Sequence, residues 1–241
     1  MAYSLQYSRL NSYSILIDWP ELIDETMLQD VLNYKLGVEK LYNKQKVEVI
    51  HTYSSILIIY SVTIDKFNNA VLELKKLYAE LKKQIKTTTL LWEIPVCYDA
   101  IYGTDLDMFS KLKTLPKSEI IRLHSEAIYT VFFIGFLPGF LYLGGLDSQL
   151  YLDRKSTPNL SVKKGSVAIG GNQTGMYPQD SPGGWHVIGN SPVELFNAGK
   201  YPPCFIKAGD KLKFYEVDKT QYQKIKAQIA QNNYQIEPKI L

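Results

Sequence analysis

The chain has 241 residues, 46% of them hydrophobic, and its 27 basic and 24 acidic side chains leave a net charge of +3. That length holds one large domain or two modest ones, and the near-neutral charge excludes strong attraction to nucleic acid or an anionic membrane. Eighteen Tyr and nine Phe exclude a disordered chain, while two cysteines (Cys97, Cys204) and three histidines (His51, His124, His186) exclude a disulfide framework and leave no metal-ligand spacing.

The N-terminus lacks the basic head and apolar core of a secretory signal, so a reduced, cytoplasmic protein is expected. Residues 3–10 and 12–17 are predicted strands, with Asn11 as turn material between them. Pro20 is expected to open a helix that runs to Leu36 and stops at Gly37. Segments 47–53 and 56–61, rich in β-branched residues, are predicted strands. Asp65 is the expected cap of a second helix, in which Phe67, Val71, Leu74, Leu77, Tyr78, Leu81 and Ile85 recur at helical spacing. Its lysines (Lys75, Lys76, Lys82, Lys83, Lys86) lie on the other face and read as solvated rather than anion-binding. Residues 87–96 are expected to close this unit as a strand. The β-β-α-β-β-α-β order contains the split βαβ pattern of ferredoxin-like domains, so residues 1–97 are read as an N-terminal ferredoxin-like α/β domain.

Thirteen of the fifteen glycines and seven of the eleven prolines lie between Gly135 and Gly209, a shift that marks a second part built differently. Short helices are predicted near 105–112 and 117–127. From Ile128 onward, apolar runs broken by Gly and Pro point to an all-β barrel or sandwich. A terminal helix over 220–233 is expected to pack through Tyr222, Ile225 and Ile229. The uncharged run 127–146 has membrane-spanning length, but Gly135, Pro138-Gly139 and Gly144-Gly145 make it strand, turn and loop; no membrane association is expected.

No Walker-type loop, dinucleotide fingerprint or nucleophile elbow occurs. Three Gly-rich stretches carry what chemistry the sequence shows. In Gly135-Phe136-Leu137-Pro138-Gly139-Phe140, the Pro-Gly pair forces a turn flanked by aromatic surface, a hydrophobic corner or a ligand wall. In Gly170-Gly171-Asn172-Gln173-Thr174-Gly175, polar side chains sit between glycines that expose backbone N–H groups, either an amide or anion pocket or a self-satisfied loop. In Ser181-Pro182-Gly183-Gly184-Trp185-His186, Trp185 and His186 are expected on opposite faces of a strand. His186 reads either as an acid–base group or as a donor to a loop carbonyl. His124, read as exposed near a helix end that favours an imidazolium, is the second acid–base candidate.

These stretches, with Tyr142-Leu143, Tyr177-Pro178, Ile188-Gly189 and the Ile94-Pro95-Val96-Cys97-Tyr98 junction, resemble the family of KipI and the B-type 5-oxoprolinase subunits, also labelled allophanate hydrolase subunit 1. The resemblance implies a small α/β domain followed by a cyclophilin-like β-barrel at residues 98–241. It implies one subunit of an ATP-dependent 5-oxoprolinase that opens 5-oxo-L-proline to L-glutamate, using ATP with Mg in a complex with C-type and A-type subunits. One relative instead inhibits a sensor histidine kinase, so a non-catalytic regulator is the competing expectation. On this reading Phe136, Pro138, Gly139, Phe140, Asn172, Gln173, Thr174, Tyr177, Gly183, Gly184 and Trp185 line the substrate site, and His124 or His186 moves protons. Arg154, Lys163 and Lys164 are the candidates for an anionic group. The sequence departs from the family at Asp99-Ala100-Ile101, where Gly-Gly-Glu is usual, and at Asn159 and Lys164, where Arg and Pro are usual. The glycine-framed turns of the C-terminal half are expected to converge on one hollow with Gln173, Thr174 and Trp185 at its rim.

Overall fold

A computed structural model describes residues 3–44, 47–81 and 88–241, and the chain divides into two compact units, Met1–Thr87 and Thr88–Leu241. In the first unit β1 (Gln6–Asn11) and β2 (Ser14–Asp18) form a hairpin whose Asn11 side chain accepts the Tyr13 N–H. Helix α1 (Glu25–Leu41) follows, then β3 (Val47–His51), β4 (Ser55–Tyr60) and α2 (Phe67–Glu80). The four strands make an antiparallel sheet in the order β1-β2-β4-β3. Ile15 pairs with Ile58 and Ile17 with Ile56, so the alternation of β2 and β4 delivers four fully buried side chains to one face. They pack against Met27, Val31, Tyr34 and Val38 of α1 and Leu74 of α2.

Three local expectations are corrected here. The first helix begins at Glu25 rather than Pro20, because the Asp24 carboxylate accepts the Met27 N–H and caps it. It also runs through Gly37, where a Cβ would stand 3.1 Å from Leu81; the glycine serves close packing, not helix termination. Lys66, not Asp65, occupies the N-cap of α2 and makes no side-chain cap bond, while Asp65 accepts the Thr63 hydroxyl. Lys75 lies over the Tyr7 ring and Lys76 pairs with Glu80, whereas Lys82, Lys83, Ile85 and Lys86 lie outside the described residues.

The second unit runs β5 (Leu90–Val96), α3 (Leu106–Lys113), α4 (Lys117–Glu126), β6 (Ile128–Ile134), β7 (Leu141–Gly144), β8 (Asn159–Val162), β9 (Ser166–Gly170), β10 (Gln173–Met176), β11 (Ser181–Gly183), β12 (His186–Asn190), β13 (Lys211–Glu216), α5 (Lys219–Ala230) and β14 (Lys239–Ile240). Its large sheet has the order β12-β9-β10-β7-β6-β13-β5-β14, and β8 and β11 form a separate two-stranded arm. Cys97, one residue beyond β5, exchanges both backbone hydrogen bonds with Asn190 at the end of β12, at 2.9 and 3.0 Å. This bridge ties β12, at one end of the sheet, to the strand next to β14 at the other, and so brings the sheet round on itself. The Asn190 side chain reinforces the seam, donating to the Lys164 carbonyl and accepting the Tyr222 hydroxyl of α5 at 2.7 Å.

The strand expected to close the first unit is therefore in the second. β5 runs parallel to β13 from Leu91–Lys211 to Val96–Glu216, and the division expected after residue 97 falls at 87/88. The uncharged run 127–146 is β6, a turn and β7, and among the described residues no helix is long and apolar enough to cross a membrane. Helix α5 carries a capping box between Asp218 and Gln221 and packs through Tyr222.

Because Asn190 holds the seam through two side-chain hydrogen bonds, one buried and one partly buried, Asn190→Ala is expected to lower unfolding free energy by about 2–3 kcal/mol, and Tyr222→Phe by about 1 kcal/mol. Denaturant titration of both variants checks the ranking; equal losses would contradict it.

Candidate functional site

Strands β9 and β10 lie side by side, with Gly170 opposite Gln173 and Ala168 opposite Gly175. Alternation sends Val167, Ile169 and Met176 into the main core, and leaves Ala168, Gly170, Gln173 and Gly175 on the other face. Trp185 lies across this second face, 4% exposed. A Cβ at Gly170 would stand 2.5 Å from its indole, and one at Gly175 would stand 3.1 Å from it and 3.0 Å from Phe140. A Cβ at Gly183 would strike the Tyr177 hydroxyl. These glycines are present because aromatic rings rest on bare backbone.

Around Trp185 the rings interlock. Phe140 is 5.5 Å from Trp185, 5.1 Å from Tyr177 and 4.9 Å from Tyr142, mostly edge to face. Tyr142 stacks on Phe133 at 4.2 Å. Phe136 meets Phe140 edge-on at 5.7 Å, yet is 63% exposed and has a left-handed backbone, φ 67°. Burial raises the Tyr142 and Tyr177 phenols, and the nearby Arg154 charge pulls both partly back.

A short strap, residues 152–155, crosses this face. Leu152 exchanges backbone hydrogen bonds with Gly171 at 3.0 and 2.7 Å, and Lys155 N–H donates to the Gly184 carbonyl at 2.7 Å. The His186 Nε2–H donates to the Asp153 carbonyl at 2.9 Å. The Lys155 ammonium pairs at 2.6 Å with Asp105, both side chains being largely buried, and the same Asp105 oxygen accepts the Val187 N–H. Between these anchors the Arg154 guanidinium lies 5.7 Å above the Trp185 ring. The Gly171 N–H, expected to be open to a ligand, is spent on Leu152.

Thr174 and His124 lie on the opposite, core face of β10. His124 is fully buried, stacked on Phe214 at 4.8 Å, and its Nδ1 and Nε2 meet the Tyr98 hydroxyl (2.7 Å) and the Thr174 hydroxyl (2.9 Å). The Thr174 hydroxyl donates to the Ala168 carbonyl at 3.1 Å, so its oxygen must accept from His124 Nε2–H, and Tyr98 donates to Nδ1. This fixes one neutral tautomer. Burial pushes the imidazole down from 6.5 to about 3. His124 is a core hydrogen-bond relay rather than the exposed imidazolium expected, and Thr174 is not at a rim.

The candidates therefore divide. Phe136, Phe140, Tyr177, Gly183, Trp185 and Arg154 gather with Gln173 on one face, while His124 and Thr174 lie behind it. His186 donates to a loop carbonyl, and its Nδ1 is buried with no partner among the described residues. Asn172 and Pro138 are exposed, Gly139 (φ 84°) is pressed against Phe196, and a Cβ added at Gly184 would meet only ordinary contacts. Lys163 pairs with Asp180 and Lys164 with Glu194, at the far end of the β8–β11 arm from Gly183. Asp105, Lys155 and Tyr98 have no signature in the sequence, since their partners lie 50, 50 and 26 residues away.

Residues 5–206 match the family of the carboxyltransferase domain, subdomain C and D, and the chain belongs to that family. Its relatives include proteins named as the B subunit of 5-oxoprolinase; that of Bacillus subtilis (strain 168) is 31% identical over 94% of this chain and 98% of its own length. Among solved structures, TTHA0988 has a TM-score of 0.73 at 27% identity over 85% of this chain, which spans 40% of that chain. The K. lactis urea amidolyase shares the fold, with a TM-score of 0.84 at 15% identity over 100% of this chain and 16% of its own.

Two outcomes follow from the geometry. Gly170→Ala is expected to destabilise by about 1–3 kcal/mol through overpacking against Trp185, while Gly184→Ala is tolerated; thermal melts that show equal behaviour would contradict the ring seat. For His124, the unfolded imidazole protonates near its ordinary value, so the unfolded state binds the extra proton between 6.5 and about 3. The stabilisation is complete above that window and is lost as pH falls through it. The melting temperature of His124→Gln is expected to fall less steeply than wild type between about pH 7 and 4, and parallel curves would contradict a neutral buried imidazole.

Proposed function

We propose that this chain is one subunit of an ATP-dependent 5-oxoprolinase, which opens the lactam of 5-oxo-L-proline to L-glutamate with hydrolysis of ATP. The observation that carries the reading is likeness over nearly the whole of both chains to a B subunit of 5-oxoprolinase. On this reading it works with C-type and A-type subunits in the cytoplasm, with Mg-ATP used by the assembled complex. The two units are read as ferredoxin-like and cyclophilin-like domains; the β1-β2-β4-β3 order and the Cys97–Asn190 closure support this.

A lactam is an unreactive amide. Transfer of the ATP γ-phosphoryl group to its oxygen, with loss of ADP, makes the carbonyl carbon open to attack by water. C–N cleavage leaves the nitrogen to take a proton, and a second water hydrolyses the resulting acyl phosphate to the carboxylate and inorganic phosphate. A site for this needs an apolar wall for a flat five-membered ring and donors for its oxygens. The half-buried Tyr142 and exposed Phe136, backed by the buried Phe140 and Trp185, supply the wall, and Gln173 lies on the same strand face. His186 pairs with Ile169 and packs on Phe109, so it lies with His124 on the core side of the sheet, and neither candidate imidazole is on the face of this wall.

Copurified with C-type and A-type subunits, the chain is expected to give ATP hydrolysis that depends on 5-oxo-L-proline and yields glutamate. A complex with no such dependence would contradict the reading, all the more if the chain alone blocked autophosphorylation of a histidine kinase.

A further inference from the structure

Lys163, Lys164 and Arg122 each meet a carboxylate, and the Arg9 guanidinium donates to the Ile64 carbonyl. Arg154 differs: among the described residues no carboxylate and no hydrogen-bond acceptor engages it, although the residues on either side are firmly held. The Trp185 ring covers one side of the cation and accepts none of its N–H groups in a conventional hydrogen bond. The Asp153 carbonyl is fixed by His186 and the Lys155 side chain by the Asp105 ion pair, which leaves Arg154 held over the indole with its fork unspent.

Such a fork matches a carboxylate through two parallel charge-assisted hydrogen bonds, and an aromatic ring beneath it removes one side from solvent competition. Within reach of the same charge lie the Tyr142 and Tyr177 rings. The exposed Phe136, held in a conformation that L residues avoid, meets Phe140 edge-on and carries the ring cluster out to the surface. The exposed Arg154 guanidinium, the exposed Phe136 and the half-buried Tyr142 together offer a site for an anionic head beside aromatic surface, suited to a small ring bearing one carboxylate.

We propose that Arg154 is the carboxylate-recognition residue of this face, setting its specificity for a small cyclic amide that carries an acid group. The Lys155–Asp105 pair is its positioning latch. The substrate named here rests on the 5-oxoprolinase reading; the anion site does not.

The test has two arms. In the assembled complex, Arg154→Gln is expected to raise KM for 5-oxo-L-proline about ten- to hundred-fold, the loss of one charge-assisted contact. KM for the uncharged 5-oxo-L-prolinamide should stay the same, and Arg154→Lys should recover part of the loss. An unchanged KM for the acid, or equal effects on acid and amide, overturns the proposal. The second arm needs no turnover: the full chain is titrated with 5-oxo-L-proline, its amide, L-lactate and acetate while tryptophan fluorescence is read, with Trp185→Phe identifying the signal. Saturable quenching by the carboxylates that is lost in Arg154→Gln supports the site even if the complex hydrolyses no ATP, in which case only the 5-oxoprolinase reading falls. Absence of quenching by every carboxylate, or quenching equal in Arg154→Gln, overturns the anion site itself.

Discussion

The seat of Trp185 on bare backbone is the constraint on which the rest of the second unit depends. Gly170 and Gly175 lack Cβ atoms where the indole lies, and Phe140 and Tyr177 close around its edges. An indole so held buries a large apolar area, and each ring contact fixes the orientation of the next. The strap at 152–155 then crosses over it, tied to Gly171 at one end and Gly184 at the other. Removing a glycine would not simply add a methyl group; it would lift the ring that positions Arg154.

Electrostatics divide the same strands into two environments. On the core side, Tyr98, His124 and Thr174 form a neutral hydrogen-bond chain in which burial disfavours any charge. On the outer side, a cation rests on an aromatic surface. The Lys155–Asp105 pair is largely buried, which carries a desolvation penalty that Coulomb attraction only offsets. Its contribution is fixed geometry: Asp105 holds both the Lys155 ammonium and the Val187 N–H. Trp185 and His186, adjacent in sequence, thus face different chemistry.

Much of this fold was legible in the sequence, because hydrophobic periodicity and turn residues act locally. The hairpin around Asn11, both helices of the first unit and the turn at Pro138-Gly139 follow from such signals. What failed was decided at long range. The strand Leu90–Val96 pairs with β13 more than a hundred residues later, and nothing local says so. Gly37 reads as a helix stop until Leu81 is packed against it. Of the candidate site, the glycine motifs were legible as places of close approach, but rings rather than a ligand on open amides occupy Gly170, Gly175 and Gly183. Thr174 sits in a polar run, and only strand alternation turns it toward His124.

If Trp185 organises the strap, the amides of Leu152, Gly171 and Lys155 share its fate. Hydrogen exchange followed residue by residue in wild type and Trp185→Ala measures this directly. The account predicts that these three amides are protected together and lose protection together, while the Cys97 and Asn190 amides of the seam keep theirs. Strap amides that stay protected without the indole would contradict it.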